Sequence, residues 1–432
     1  MEEKKIEYAP HGRKLNPCEL EIDLFCKGIR IHESCEMDSD KTFSKARAGL
    51  GSGLELMVPG PHKNIWLNAP VLEYFAVSSP YELRRVNGAY RVVHTVDQVS
   101  YDVVIPTAPS WYSRKTSSGV NMREIGVIQG TYLGIYLGDV CHFWQTDPKE
   151  NCKFCATGIN VGKPGADKAM KTVEEVTEVA QTAKAESGVS FVHFNTGYQK
   201  GRGLEVCAPF VKAIKEKVGA LAGVQAIPSK DLWKYDWVID CGADHFSFCY
   251  ELHNPEYFAK YLPGKERLIG QKTFFNALEY TARKLGKGRV SGEIIAGIEP
   301  IEDTLKAIDY ITGVGAFPTI CIFRPVQGTA MERWPSPSYE DMIVVFRHMY
   351  EACMKNNIPV GLVPNIEVSL VVQPNDAEYL IQPSLRYHFY KAMLALMRYP
   401  AGILFRKQLK PHQTPGDAFN LPVPKECCCQ AH

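Results

Sequence analysis

Apolar residues are distributed differently on the two sides of residue 126. Before it, short alternating runs punctuated by Gly and Pro predict β-strands at Leu54 to Val58, Val71 to Val77, Tyr90 to Val96 and Tyr101 to Ile105. After it, compact apolar runs alternate with segments of helical period. The runs predict strands at Leu133 to Leu137, Ser190 to Phe194, Val224 to Ile227, Phe246 to Tyr250, Val290 to Ile298 and Thr319 to Phe323. A capping box formed by Thr172 and Glu175 opens the first intervening helix, where Val173, Val176, Val179, Ala180 and Ala183 share one face. Further helices are predicted at Leu204 to Val218, at Phe274 to Leu285, along the face of Leu305, Ile308 and Ile311, and at Met342 to Met354. Strand-then-helix units repeated at this spacing predict an α/β fold with a parallel sheet, open or closed into a partial barrel. The chain then divides into a β-rich N-terminal extension at 1–125, the barrel at 126–335, and a C-terminal extension at 336–432. In the last part, Pro359 to Leu370 is a candidate seventh strand and Tyr387 to Leu396 a cover helix.

Barrels of this kind carry their active sites at the C-terminal ends of the strands, so the strand ends are where chemistry is expected. The first strand runs into TYLGIYLGDVCHFWQTDPKENCKFCATG, in which Cys152 and Cys155 form a tight hook and Cys141 precedes it across ten residues. Three thiolates on one loop can hold three irons of a four-iron cluster and leave the fourth open. A zinc ion on Cys141, His142, Cys152 and Cys155 is a second reading, although adjacent ligands close poorly on one tetrahedral ion. Ordinary buried thiols are a third. After the second strand, Asn195, Thr196, Gly197 and Tyr198 form either a plain turn or one in which Asn195 and Thr196 offer oxygen acceptors to an ammonium group. Glu251 ends the fourth strand as a surface acid or as an acceptor for two hydroxyls. Arg324 ends the sixth as a structural residue or as the partner of a carboxylate.

These residues resemble the radical S-adenosylmethionine superfamily, in which three cysteines follow the first barrel strand and the closing pair encloses an aromatic, here Phe154. The first spacing is usually three residues and here is ten. Gly292, Ile294, Gly297 and Glu299 resemble the fifth-strand segment that passes beside the adenine, where a side chain at Gly297 would block a flat ring. Pro325, Gly328 and Thr329 resemble a segment of the biotin synthase-like branch. The resemblance covers about 127–335 and implies a partial (β/α)6 TIM-type barrel with a β-rich N-terminal extension and a C-terminal cover segment. It implies a [4Fe-4S] cluster on Cys141, Cys152 and Cys155, whose open iron binds S-adenosylmethionine, so that one electron breaks a carbon–sulfur bond and yields a carbon radical. Phe154, Asn195, Thr196, Gly197, Glu251 and Gly297 would then hold the cofactor, with Tyr198, His193, Gln225 and Arg324 facing a small-molecule substrate. An electron donor such as flavodoxin or ferredoxin is implied as partner. Rearrangement, sulfur insertion, methyl transfer and aminocarboxypropyl transfer all remain open.

Composition changes this picture only at its edges. A net charge of +1 gives no support for a nucleic-acid surface. The N-terminus lacks the apolar core of a signal peptide and no apolar run approaches the ~20 residues of a membrane span, so a cytoplasmic protein without a membrane partner is expected. Fourteen cysteines then read as reduced thiols and metal ligands, which suits an anaerobic cell. Cys18, Cys26 and Cys35 read as scattered structural thiols ahead of a second cluster. Cys427, Cys428, Cys429 and His432 close the chain as a candidate thiol or auxiliary metal site, or as an exposed redox tail. The Gly49, Gly51, Gly53 stretch lacks the Lys-Ser/Thr of a phosphate loop and reads as a turn. The rival class is a non-catalytic zinc scaffold or electron-transfer iron–sulfur protein.

Overall fold

The computed structural model describes residues 8–35 and 53–421, apart from 62, 164, 166 and 364. The central sheet has seven strands in the order β13-β12-β11-β10-β9-β8-β7. They are β7 (Val127–Gln129), β8 (Tyr132–Tyr136), β9 (Phe191–Asn195), β10 (Leu221–Gln225), β11 (His245–Glu251), β12 (Val290–Ala296) and β13 (Phe317–Ile322). β8 to β13 are parallel neighbours in chain order, and β7 adds an antiparallel edge. Each crossover therefore steps one place in the same direction, and right-handed crossovers put the helices on one face of a curled half-barrel.

Ahead of the sheet come α1 (Pro17–Lys27), β1 (Arg30–Ile31), β2 (Gly53–Val58), β3 (Ile65–Pro70), β4 (Tyr81–Val86), β5 (Ala89–His94), β6 (Val99–Asp102) and α2 (Met122–Ile125). β1, β4, β5 and β6 form one small sheet, and β2 and β3 a second. The N-terminal segment thus contains β-structure as expected, but also α1, which the sequence reading missed. Asn16 and Glu19 close a capping box on it, with Pro17 in its first turn. Leu20, Ile22, Leu24 and Cys18 are buried, and so are Glu21, Asp23 and Lys27, so α1 is buried nearly all round and lacks a single apolar face. Cys26 and Cys35 are likewise buried thiols. The strand expected at Val71 to Val77 is instead a 3₁₀ turn at Tyr74–Ser78, because Pro70 ends β3.

After the cysteine loop and α3 (Thr157–Asn160), α4 (Val173–Ser187) starts at the Thr172–Glu175 capping box and ends at Gly188 in the left-handed region. Val176, Val179, Ala180 and Ala183 bury its inner face. The series continues with α5 (Gly203–Ala213), α6 (Trp233–Asp240), α7 (Pro255–Tyr261), α8 (Pro263–Leu268), α9 (Gln271–Leu285), α10 (Ile301–Gly313), α11 (Tyr339–Lys355) and α12 (Leu385–Gln408). The described residues of 359–370 form loop and turns rather than a seventh parallel strand, since Pro359, Pro364 and Asn365 interrupt the apolar run. That loop and α12 cover the face of the sheet opposite the helices and leave a cavity of about 1580 Å³. Strand alternation decides what lines it. In β9, Val192 and Phe194 are buried toward the helices, while Phe191, His193 and Asn195 face the cavity.

Candidate functional site

Cys141, Cys152 and Cys155 all line the cavity at the C-terminal end of β8. β8 hands over to the loop through the Leu137 N–H, which donates to Asn195 O at 2.7 Å, and the Tyr136 hydroxyl, which donates to Asp139 O at 3.0 Å. The strand end after β9 then fixes Cys141. The Tyr198 N–H donates to Cys141 Sγ at 3.3 Å, and the His142 N–H donates to Tyr198 O at 3.0 Å. Gly197 makes this approach feasible, because a Cβ there would lie 2.4 Å from Cys141 Cβ. The Tyr198 ring stacks on Phe143, centroids 4.5 Å apart.

The long spacing between Cys141 and Cys152 folds outward onto α8. The Glu150 N–H donates to Phe143 O at 3.0 Å, Glu150 O accepts from the Gly264 N–H at 3.0 Å, and the Glu150 carboxylate pairs with Arg267 at 2.5 Å. Trp144 lies against Gly158, where any side chain would collide with the indole. Cys152 and Cys155 then close a turn, with the Cys155 N–H donating to Cys152 O at 3.1 Å. Thr157 donates its N–H to Cys155 Sγ at 3.4 Å. Phe154, between the two, is buried and lines the cavity.

Burial raises the Cys141 thiol, the Tyr198 N–H opposes this, and the nearby Cys155 adds to it. Cys152 is raised by burial and by Cys155, Glu251 and Cys141, against Lys265. Three thiols whose charges repel one another are what a bound cation would relieve, since metal-bound thiols ionise outright. Among the described residues, however, the sole group of three or more His, Cys, Asp or Glu ligand atoms within 4.8 Å of one another is His11, Asp23 and His94. A tetrahedral zinc with bonds of about 2.3 Å needs its sulfurs roughly 4 Å apart. The thiols are thus too spread for one ion, whereas a cluster several atoms across takes ligands farther apart. The donor set fits the cluster better than zinc.

Lys265 on α8 is the residue that sequence reasoning missed. Its buried ammonium pairs with Glu251 Oε1 at 2.9 Å and donates to Cys249 O at 2.5 Å. Burial acts to lower its pKa, but Glu251, Cys152 and Cys249 outweigh that and raise it. Glu251 itself sits at φ +68° beside a register shift in β11, which turns its side chain into the cavity. Deeper in, Glu293 accepts hydrogen bonds from Gln225 Nε2 at 2.5 Å, Cys249 Sγ at 2.6 Å and Ser247 Oγ. Burial raises its pKa against those bonds. Asn195 Nδ2 donates to Gln225 Oε1 at 2.7 Å, which ties the ends of β9 and β10 to this network. Below it, burial pushes His193 and His245 down to about 3 and about 4, and His193 Nε2 is buried without a partner.

The cysteines, Phe154, Asn195, Thr196, Gly197, Tyr198, Glu251, His193 and Gln225 share this one cavity. Two other residues do not. Arg324 donates to Asn68 O at 2.5 Å and lies 3.7 Å from Glu73, so its guanidinium is turned toward the N-terminal segment rather than toward a substrate. Gly297 has φ +99° and lies against Pro337, whose Cγ would be 2.2 Å from an added Cβ, so the space beside it holds a proline rather than a ring-shaped gap. Glu299 anchors the loop after β11 by accepting from the backbone N–H groups of His253 and Asn254 at 2.9 and 2.8 Å. Cys427, Cys428, Cys429 and His432 lie outside the described residues, as do Gly49 and Gly51.

Fold and site together define an α/β half-barrel protein with a candidate metal centre at the mouth of a large cavity. No family model matches the chain. It is similar to a curated protein named bacteriochlorophyllide c C-7(1)-hydroxylase, from Chlorobaculum limnaeum, at 24% identity over 255 residues, 54% of this chain and 63% of that one. Among solved structures, methylornithine synthase aligns at 17% identity over 65% of this chain and 94% of its own, with a TM-score of 0.40. The FeFe-hydrogenase maturase HydG from Carboxydothermus hydrogenoformans aligns at 16% identity over 51% of each chain, TM-score 0.40. A radical SAM methyltransferase from Sphaerobacter thermophilus aligns at 12% identity over 63% of this chain and 75% of its own, TM-score 0.38.

Proposed function

We propose that this chain is a radical S-adenosylmethionine enzyme acting on a small molecule inside the half-barrel. The observation that carries the reading is the convergence of Cys141, Cys152 and Cys155 at the cavity mouth, too widely spaced for one ion. When bound, a four-iron cluster supplies the single electron that cleaves the cofactor's carbon–sulfur bond. The chain's own residues do the rest. The Tyr198 and Thr157 N–H groups stabilise two of the thiolates. Lys265 neutralises charge beside Cys152 and orients Glu251, whose second oxygen is kept for a cofactor hydroxyl. Asn195, Thr196 and Gly197 receive the ammonium group, and Phe154 shields the cluster side from water. The Glu293, Gln225 and Cys249 network faces the substrate. The cavity exceeds the roughly 300–1,000 Å³ of drug-sized sites and leaves room for a bulky substrate beside the cofactor, in keeping with the bacteriochlorophyllide c for which the hydroxylase relative is named.

The test is cofactor cleavage. Protein reconstituted anaerobically with iron and sulfide, reduced, and given S-adenosylmethionine should release 5′-deoxyadenosine, and Cys155→Ala should release none. A wild-type preparation that takes up about one zinc and no iron would leave a structural metal site instead.

A further inference from the structure

α12 has two apolar faces. Tyr390, Leu394 and Phe405 are buried against the body. On the opposite side, Leu385, Phe389, Ala392, Leu396, Tyr399 and Ile403 follow the alternating four- and three-residue steps that gather side chains into one stripe. This stripe is in solvent as far as Tyr399, with Ile403 half-buried: Leu385 is 80%, Phe389 75%, Leu396 79% and Tyr399 76% exposed. Isolated exposed apolar residues need no explanation, but a continuous stripe of bulky ones marks an interaction surface.

Charge selects the partner. α12 contains Arg386, Lys391, Arg398, Arg406 and Lys407 and neither Asp nor Glu, in a chain whose overall charge is only +1. Lys391 is paired with Glu378 and Arg398 lines the cavity, which leaves Arg386, Arg406 and Lys407. A second copy docked on this face would set the remaining cations against their own kind. An anionic bilayer instead accepts both features, with bulky apolar groups entering the acyl boundary and Arg and Lys meeting lipid phosphates. On the other side of the same helix Met397, Arg398, Ala401 and Leu404 line the cavity, so the stripe is free of the site. We propose that α12 lies flat on an anionic lipid bilayer through its Leu385 to Tyr399 stripe. The helix lies on the bilayer rather than across it, since no helix is long and apolar enough to span one among the described residues. None of these residues belongs to the thiol site, so the inference stands apart from the proposed reaction.

The experiment is co-sedimentation of the full chain with vesicles of phosphatidylcholine, alone or with roughly a third phosphatidylglycerol. The wild type should pellet with the anionic vesicles and bind the neutral ones at least about tenfold more weakly. Binding should also fall in about 1 M salt, where screening acts within about 3 Å. A Phe389→Ser/Leu396→Ser variant, altered only at exposed positions, should keep its circular dichroism and Tm yet stay in the supernatant. Wild-type protein that ignores every vesicle, or a variant that binds as well as wild type, overturns the proposal. So does a wild-type dimer in sedimentation velocity that the variant lacks without any vesicle binding, which would assign the stripe to a second copy.

Discussion

Gly197→Ala asks whether the position of Cys141 governs the site. The added Cβ would stand 2.4 Å from Cys141 Cβ, 2.9 Å from its Cα and 2.8 Å from the Tyr136 hydroxyl. Carbon atoms settle about 3.5–4.0 Å apart, so Cys141 must retreat by roughly 1 Å. Overpacking of this kind costs about 1–3 kcal/mol. The strain cannot spread easily, because the Tyr198 N–H and C=O hold Cys141 Sγ and the His142 N–H from the same side. If the loop yields, cluster occupancy should drop by about tenfold for each 1.4 kcal/mol. Iron and sulfide per chain after anaerobic reconstitution are the readout, beside thermal unfolding of the iron-free protein. The variant should remain folded with Tm lowered by a few degrees and load several-fold less iron. A Gly197→Ala protein that loads iron like wild type would refute the reasoning.

Lys265→Met leaves Glu251 without its buried partner and should cost about 3–5 kcal/mol in urea unfolding, most of it recovered in the Lys265→Met/Glu251→Met double variant; a loss under about 1 kcal/mol would contradict this. His193 and His245 have folded pKa values of about 3 and about 4, lowered by burial, against about 6.5 when unfolded. A depressed folded value gives stability that is present above about pH 6.5 and lost as pH falls toward 4, at up to about 1.4 kcal/mol per pH unit for each histidine. Unfolding at pH 7 and pH 5 should therefore show a stability loss that His193→Gln/His245→Gln reduces, and equal slopes in both proteins would count against it. Cys141→Ala, Cys152→Ala and Cys155→Ala should each lower iron content, whereas Cys18→Ala should not, because Cys18 is buried in the core and does not line the cavity.

Much of the half-barrel was legible in the chain. The Thr172–Glu175 capping box marks α4 by local hydrogen bonding, and the compact apolar runs of β8, β11, β12 and β13 were located to within two residues. β10 runs Leu221–Gln225, three residues before the expected start, because the apolar pattern continues past the strand through Ala226 and Ile227 to Pro228. The 359–370 run was misread because its Val and Leu content favours a strand while its prolines forbid one in a sheet interior. The thiol loop was visible from spacing. Lys265 was not, since its meeting with Glu251 depends on how α8 folds back over β11, and nothing local distinguishes it from other lysines. Of the two readings of Arg324 the contacts to Asn68 and Glu73 favour the structural one, because a strand end gives the position of a residue but not which neighbour claims its guanidinium.

Electron paramagnetic resonance of the reduced, reconstituted protein, recorded with and without S-adenosylmethionine, tests the open-iron reading most directly. A cluster signal that changes on adding the cofactor, and that disappears in the Cys141→Ala/Cys152→Ala/Cys155→Ala protein, is the result expected. A signal that is indifferent to the cofactor, or one that survives in the triple variant, would contradict a cofactor-binding cluster on these three thiols.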